Sequence, residues 1–347
     1  MKYKLLGNSG LRVSEVALGT MTFGTEAGWG ADKEISKKMF DTFVKAGGNF
    51  IDTANEIYTN GTSEKFVGEF IHSNREFIVL GTKYTDAAPG DDPNKAGNSR
   101  KSMIQSLERS LKRLNTDYVD VLWVHAWDFM SPVEEVMRSL DDVVRQGKAL
   151  YLGISDAPAW VISKANMYAR ENKLTPFVAS QIEYSLIQRT GERELLPMAA
   201  DEGMTTLGWS PLSSGILTGK YSKKHGDGGE KDGRLNKTEF AELSDRNLSI
   251  GDKVVEIAER NDVQPATIAI AFVKQQGIIP LLGGTKASHI KSNLSSIDFE
   301  IPESDLQELK DISAIEMGFP HDFLKSTQAV TYGGQLENII HNRPNVY

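Results

Sequence analysis

Short apolar runs alternate along this chain with longer stretches in which apolar residues recur every three or four positions. The runs read as strands over Glu15–Met21, Asn49–Ala54, Phe77–Tyr84, Tyr118–His125, Ala149–Ser155, Phe177–Tyr184, Met204–Trp209 and Ile278–Leu282. They are apolar without strict alternation, as strands covered on both faces should be. Asp32–Ala46 carries Ile35, Met39, Phe40, Phe43 and Val44 on one helical face, and Ser99–Leu114 carries Met103, Ile104, Leu107, Leu111 and Leu114. Further helices are expected over Ser63–His72, from the Ser131-Pro132 opening to Arg145, and over Ala159–Asn172, Glu192–Glu202, Ile250–Arg260, Pro265–Gln276, Ser288–Leu294 and Glu303–Ile312. Ser131-Pro132-Val133-Glu134 reads as a capping box with Pro at the first helical position, and Gly147 as that helix's stop.

A hairpin precedes the alternation: Tyr3–Leu6, a turn over Gly7-Asn8-Ser9-Gly10, then Leu11–Val13. Strands alternating with helices imply parallel pairing through right-handed crossovers. A count of eight such units favours a closed (β/α)8 TIM barrel over an open sheet. No linker or fixed repeat interrupts the pattern, so residues 1–347 read as one barrel domain. Two segments stand outside it. The Gly-, Lys- and Asp-rich stretch from Tyr221 to about Glu242 follows the seventh strand and is a candidate lid. The tail from Glu316 to Tyr347 either folds back over the mouth or packs on a helix.

Composition narrows the partners. A net charge of −8 argues against nucleic acid or an anionic membrane surface as main partner. The absence of cysteine excludes disulfides, thiolate catalysis and Cys-ligated metals. The first residues lack the apolar stretch of a signal peptide. No run approaches the roughly 18 apolar residues of a membrane span. A cytoplasmic protein, monomeric or homo-oligomeric and without a metal, is expected.

Three of the strands end in an ionisable residue: Asp52, Lys83 and His125. Polar groups at the carboxyl ends of barrel strands face the site. Tyr58 follows Asp52 closely. Together the four can deliver a proton to a carbonyl oxygen. A tyrosine has an ordinary pKa of about 10, and a neighbouring ammonium lowers it. Lys83 would do this, Asp52 would hold Lys83 charged, and a neutral His125 would donate a hydrogen bond to the oxygen. Each residue alone has a plainer reading: Asp52 as a loop cap, Lys83 as an ion-pair partner or Schiff-base nucleophile, His125 as a core histidine. Their arrival from consecutive strands favours an enzyme.

No Gly-x-Gly-x-x-Gly or P-loop sequence follows a strand. The phosphate site of a barrel lies after strands seven and eight. Here those loops read Trp209-Ser210-Pro211-Leu212-Ser213-Ser214-Gly215 and Gly283-Gly284-Thr285-Lys286-Ala287-Ser288-His289. Backbone amides at such turns attract phosphate. Trp209 offers a flat face to an aromatic ring. Met21, Trp29, Tyr84, Trp127 and Phe129 are candidate walls of an apolar substrate pocket.

With these residues the chain resembles the aldo-keto reductase superfamily, over nearly its whole length from Leu5 to Leu294. Asn49-Phe50-Ile51-Asp52-Thr53-Ala54 with Gly61-Thr62-Ser63-Glu64 resembles its first signature, and Gly19-Thr20-Met21 its first strand end. Gly153-Ile154-Ser155-Asp156, Ser180-Gln181, and Trp209 to Leu212 with Gly215 to Tyr221 resemble its cofactor segments. The likeness is greater to a bacterial, potassium-channel-β-like branch than to the mammalian aldose reductases. The resemblance implies a barrel that uses NADPH (NADP+) to reduce aldehydes or ketones, with a tetrad of Asp52, Tyr58, Lys83 and His125. It implies that Ser155, Asp156 and Gln181 hold the carboxamide while Trp209 stacks on the nicotinamide. Gly19, Thr20, Met21 and Asp52 would also border the cofactor. Ser210, Pro211, Leu212, Ser214, Gly215, Leu217 and Lys220 would line the pyrophosphate, and Gly283, Gly284, Thr285, Lys286, His289, Ser292 and Asn293 the adenosine end.

The sequence departs from that pattern in two places. Tyr58 follows Asp52 by six positions rather than five, because Asn55-Glu56-Ile57 is one residue longer. The extra residue either bulges out or swings the phenol away, and the second outcome would leave an NADPH-binding accessory subunit with little turnover. Asp156 stands where Asn is common and Thr285 where Arg is, so Lys286 and His289 would have to meet a 2′-phosphate.

Overall fold

The computed structural model describes residues 1–222 and 242–340. Most of the candidate lid, and Tyr347, lie outside these residues. Strands β1 (Tyr3–Leu5) and β2 (Arg12–Ser14) form the antiparallel hairpin. Eight strands follow: β3 (Ala17–Gly19), β4 (Phe50–Asp52), β5 (Val79–Tyr84), β6 (Val119–Val124), β7 (Ala149–Ser155), β8 (Phe177–Glu183), β9 (Thr205–Trp209) and β10 (Ile279–Leu282). They pair in parallel in sequence order, and β10 closes on β3. This is the closed (β/α)8 barrel that the alternation predicts.

Helices α1 (Lys33–Lys45), α2 (Thr62–Ile71), α3 (Arg100–Leu114), α4 (Val133–Arg145), α5 (Ala159–Glu171), α6 (Leu195–Asp201), α7 (Asp245–Arg260), α8 (Pro265–Gln275), α9 (Ala287–Leu294) and α10 (Glu303–Ile312) surround it. No described helix is long and apolar enough to cross a membrane. Two starts differ from expectation. Ser131 caps nothing: its hydroxyl donates to Asp128 Oδ2 at 2.9 Å, and Pro132 takes the cap position without a side-chain hydrogen bond. The Asp128 carboxylate also accepts from the Met130 and Ser131 amides, so it has claimed the serine before the helix begins. Helix α7 begins five residues ahead of Ile250, at Asp245, where Ser244 caps the Asn247 amide. Its first turn (Asp245, Arg246, Asn247) is polar and hides the apolar period. The tail forms α11 (His321–Ser326) and α12 (Gln328–Thr331), with no buried residue in either. It is tied to the segment before α6, where Arg193 donates to Glu316 O and His321 meets Glu194 Oε1 at 3.1 Å.

Strand pleat sorts the residues into an outer and an inner core. Ile51, Leu80, Leu122, Leu152 and Ile154 point out against the helices. Ala17, Phe50, Val79, Val121, Trp123, Ala179, Leu207 and Ile279 point in and fill the barrel. Leu6 and Val13 of the hairpin belong to the same inner cluster, next to the first residues of β4 and β5, so the hairpin plugs the barrel floor. Trp123 is the largest fully buried side chain. Glycines make its room: a Cβ on Gly153 would lie 2.2 Å from the Trp123 ring, and one on Gly81 would lie 2.7 Å from its Nε1. Gly153→Ala should therefore lower the unfolding free energy by about 1–3 kcal/mol through overpacking. Chemical denaturation measures this, and an unchanged midpoint would show that the tryptophan does not rest on that glycine.

Candidate active site

The same parity that fills the barrel builds its mouth. Two positions above the inward Phe50, Gly81, Trp123, Gly153, Ala179 and Leu207 come Asp52, Lys83, His125, Ser155, Gln181 and Trp209. They form one polar layer on an apolar plug. The Lys83 ammonium pairs with Asp52 Oδ2 and donates to Thr53 O at 2.8 Å, while Gln181 Nε2 donates to Asp52 Oδ1 at 3.3 Å. Both charged side chains are essentially inaccessible to solvent. Burial alone would lower the lysine's pKa, but Asp52 and Tyr58 outweigh it and hold the ammonium charged.

Tyr58 reaches this pair although its loop is one residue longer. Asn55, buried, donates to Asp86 O at 2.8 Å and Ser106 Oγ at 3.1 Å. Glu56 turns outward, where Arg113 (3.1 Å) and Arg109 (3.3 Å) of α3 hold it. Beyond the tyrosine, Thr59, Asn60 and Gly61 all have positive φ, and Thr59 Oγ1 donates to Phe23 O at 2.7 Å. The loop between Asp52 and Tyr58 is thus anchored to α3 through Glu56. The Lys83 Nζ lies 5.3 Å from the centre of the Tyr58 ring, which meets the His125 ring edge to face at 6.0 Å. Burial pushes the phenol's pKa up, and Lys83 opposes this by charge and hydrogen bond. The net shift is upward, contrary to the expected lowering, because burial outweighs the ammonium, and the Asp52 charge adds to the rise.

His125 is held neutral. Burial, reinforced by Lys83, lowers its pKa to about 3. Its Nδ1 lies 3.1 Å from Asp86 Oδ2, yet makes no well-directed hydrogen bond. The Asp156 carboxylate accepts from the Trp209 indole at 3.1 Å and the Ser155 hydroxyl at 3.1 Å. Burial raises its pKa, although one face stays wetted by the cavity.

A cavity of about 430 Å³ opens over this layer. It brings together Asp52, Tyr58, His125, Ser155, Asp156 and Gln181 with Gly19, Thr20, Met21, Trp29, Trp209, Ser210 and Gly283. Lys83 lies beneath its wall. Three proposed pocket residues do not line it. Tyr84 and Trp127 are buried in the outer core, Tyr84 because it follows the inward Lys83 and so points out. Phe129, at φ +56° and 68% exposed, stands outside it on the surface. Ile57, Asp86 and Ala126 line the cavity instead. Asp86 was legible as another polar residue just past a strand end. Ile57 had no signal, because the course of its loop is set by Glu56 meeting Arg109 and Arg113 of α3.

The cofactor loops show a fit to phosphate. Ser213, Ser214 and Gly215 have successive positive φ, and the buried Ser214 Oγ has no hydrogen-bond partner. Pro211 is buried, Leu212 packs against the core, and Leu217 is fully buried within it, so Leu217 offers a ligand its backbone only. Lys220 is exposed. In the last loop Thr22 donates to Gly284 O at 2.6 Å, the Thr285 amide donates to His289 Nδ1 at 3.3 Å, and Asn293 donates to Gly283 O at 3.0 Å. His289 and Asn293 thus shape the loop from within. Lys286 is exposed at the N-cap of α9, and Ser292 is half-buried on that helix.

Residues 15–314 match the aldo/keto reductase family. The chain is 39% identical over 342 residues to the norsolorinic acid reductase of Aspergillus flavus, a match covering 94% of this chain and 85% of that protein. It is 40% identical over 335 residues to an aryl-alcohol dehydrogenase of Pestalotiopsis microspora, covering 93% and 85% respectively. It is also 40% identical over 342 residues to an aryl-alcohol dehydrogenase of Phanerodontia chrysosporium whose name specifies NADP(+), covering 92% and 87%.

Two outcomes are expected of this geometry. Lys83→Met leaves the Asp52 carboxylate buried without its counter-charge and should cost about 3–5 kcal/mol, whereas Asp52→Leu combined with Lys83→Met should recover much of that loss. Urea denaturation separates the cases, and a double variant no more stable than the single one would remove the ion pair as the cause. The His125 imidazole, with a folded pKa of about 3 against an ordinary 6.5, should not titrate by NMR between about pH 8 and 5. The unfolded chain takes up this proton first, so the stability from neutral burial is lost as pH falls from 6.5 toward about 3. A His125 midpoint near 6.5 would refute the assignment.

Proposed function

The chain belongs to the aldo/keto reductase family, and from that premise we propose that it reduces an aldehyde or ketone to the alcohol with NADPH, Tyr58 giving the proton. The observation that carries this reading is the position of the Tyr58 phenol, in the cavity wall beside Lys83 and His125. NADPH, when bound, supplies the hydride that adds to the carbonyl carbon. The carbonyl oxygen takes the Tyr58 proton, so C–H and O–H bonds replace the C=O π bond while the cofactor is oxidised. The upward shift of the phenol keeps it protonated until the oxygen turns basic. The Lys83 ammonium then stabilises the phenolate left behind, and neutral His125 orients the oxygen. Ser155, Asp156 and Gln181 would hold the nicotinamide amide, with Trp209 on the ring face. Ser214 and its turn would meet the pyrophosphate.

NADPH rather than NADH is favoured by the exposed Lys286 at the adenosine end and by the cofactor in the Phanerodontia relative's name. An aromatic carbonyl substrate is favoured by the names of the two aryl-alcohol dehydrogenases and by the Met21, Trp29 and Ile57 wall. The relatives named above are fungal enzymes and lend nothing to a potassium-channel-β-like placement. The accessory-subunit reading rested on a displaced Tyr58, and the phenol faces the cavity. A Schiff-base role for Lys83 is disfavoured because its amine is buried, ion-paired and held protonated. We read residues 1–347 as one catalytic domain, cytoplasmic, monomeric or homo-oligomeric, and without nucleic-acid or membrane partners.

Purified protein should quench or shift NADPH fluorescence on binding and oxidise NADPH with para-nitrobenzaldehyde. Tyr58→Phe should keep cofactor binding and lose about 10²- to 10⁴-fold in turnover. Binding without turnover on any aldehyde would instead favour the accessory reading. Undiminished turnover in Tyr58→Phe would displace the tyrosine from its role.

A further inference from the structure

Asp86 lies three residues beyond Lys83, and the site described above leaves its carboxylate without a task. The fold fixes it there. The Asp86 carbonyl accepts from Asn55 at 2.8 Å, and the preceding Thr85, at φ +107°, is held by Asn98 at 2.8 Å. The carboxylate lines the cavity with its side chain 40% exposed, 3.1 Å from His125 Nδ1. Among the described residues no lysine or arginine lines the cavity, and the His125 beside it is neutral. The Lys83 charge is already matched by Asp52 below the wall. The same cavity is lined by the apolar side chains of Ile57, Ala126, Met21 and Trp29. A carbonyl oxygen placed at Tyr58 and His125 therefore puts the nearest part of its own molecule against an acceptor that lacks a donor.

On this basis, and resting on the carbonyl-reductase reading, we propose that Asp86 is a specificity-determining residue: the cavity selects an aromatic carbonyl compound that carries a hydroxyl group close to its carbonyl, and disfavours one that carries a carboxylate. The hydroxyl donates to the Asp86 carboxylate, a charge-assisted bond stronger than a neutral one. An ammonium group would also satisfy Asp86 but must enter between apolar walls, where its desolvation costs more than a hydroxyl's. A second carboxylate would meet Asp86 and Asp156 with no cation to offset them.

The test is kcat/KM with NADPH for ortho- and meta-hydroxybenzaldehyde, each against its methoxy counterpart. Methoxy keeps the ring and the oxygen but removes the donor. Benzaldehyde and meta-carboxybenzaldehyde complete the set, for the natural chain, Asp86→Asn and Asp86→Leu. The natural chain should favour hydroxyl over methoxy about tenfold in at least one ring position. It should use the carboxylated aldehyde about tenfold less well than benzaldehyde. In Asp86→Leu the hydroxyl-to-methoxy ratio should fall to within about twofold. In the near-isosteric Asp86→Asn, which serves also if the leucine variant does not fold, the carboxylate penalty should shrink. These are ratios within each protein, so a general loss of activity does not produce them. Equal use of hydroxyl and methoxy substrates by a natural chain that reduces benzaldehyde would overturn the proposal while leaving the reductase reading intact. So would ratios that persist in both variants. Failure to reduce any aldehyde, benzaldehyde included, would sink the reductase reading and this inference with it.

Discussion

The buried pair of Asp52 and Lys83 is the interaction on which the mouth of this barrel depends. Removing two charges from water costs several kcal/mol each, and only close pairing with further hydrogen bonds offsets it. The barrel supplies those terms from different strands. Lys83 comes from β5, Asp52 and the Thr53 carbonyl from β4 and its end, and the Gln181 amide from β8 across the barrel. An arrangement drawn from three strands exists only once the barrel is closed. The chemistry of the site and the completion of the fold are thus one event.

That pair needs rigid support, and the sequence places it above and below. Beneath, Trp123 packs directly over Gly81 and Gly153 within the barrel. Alongside, a second buried charge repeats the principle. The Glu64 carboxylate, fully buried, accepts from Thr82 at 2.7 Å and from Arg113 Nε at 2.6 Å. The same guanidinium reaches Glu56 in the tyrosine loop at 3.1 Å and packs against Gly61, where a Cβ would lie 2.7 Å from its Cδ. Arg113 therefore links the residue next to Lys83 with both sides of the Tyr58 turn. Loop and lysine are held to one frame, as the proposed proton donor and its stabilising cation require.

Most of this layer was legible in the sequence because strand parity is a rule of period two. Once Phe50, Trp123 and Ala179 are taken as inward, Asp52, His125 and Gln181 follow without reference to tertiary structure. The same rule should have removed Tyr84 from the pocket, since it neighbours the inward Lys83. Its aromatic character drew attention that its register did not support. Trp127 and Phe129 were illegible for a different reason. They follow the strand, where the chain leaves the pleat and only packing decides direction. The course of the tyrosine loop could not be read from spacing either, because it is set by Glu56 meeting two arginines that lie some fifty residues further along. The Ser131 cap failed through local competition, as Asp128 is a stronger acceptor and lies three residues away.

The distribution of charge across the mouth follows from the same pair. Among the described residues Lys83 is the cation at the reacting end, and it is paired with Asp52 and shared with Tyr58. What remains open to the cavity there is acidic or neutral: Asp86, Asp156, a neutral imidazole and a protonated phenol. Burial raises the pKa of both carboxyl groups; Lys83 beneath the wall opposes this at Asp156, and among the described residues no lysine or arginine lines the cavity. Asp156 is satisfied in part by Trp209 and Ser155, which uses its charge to fix the indole plane. Asp86 has no comparable donor. An anionic ligand can therefore be welcomed only at the far loops, where Ser214 offers an unpaired hydroxyl and Lys286 a charge. On the proposed reading the site is polarised along its length, with its phosphate end at the loops after β9 and β10 and its acidic end at Asp86. A nucleotide and a neutral hydroxylated carbonyl compound could occupy it together without competing for the same charge.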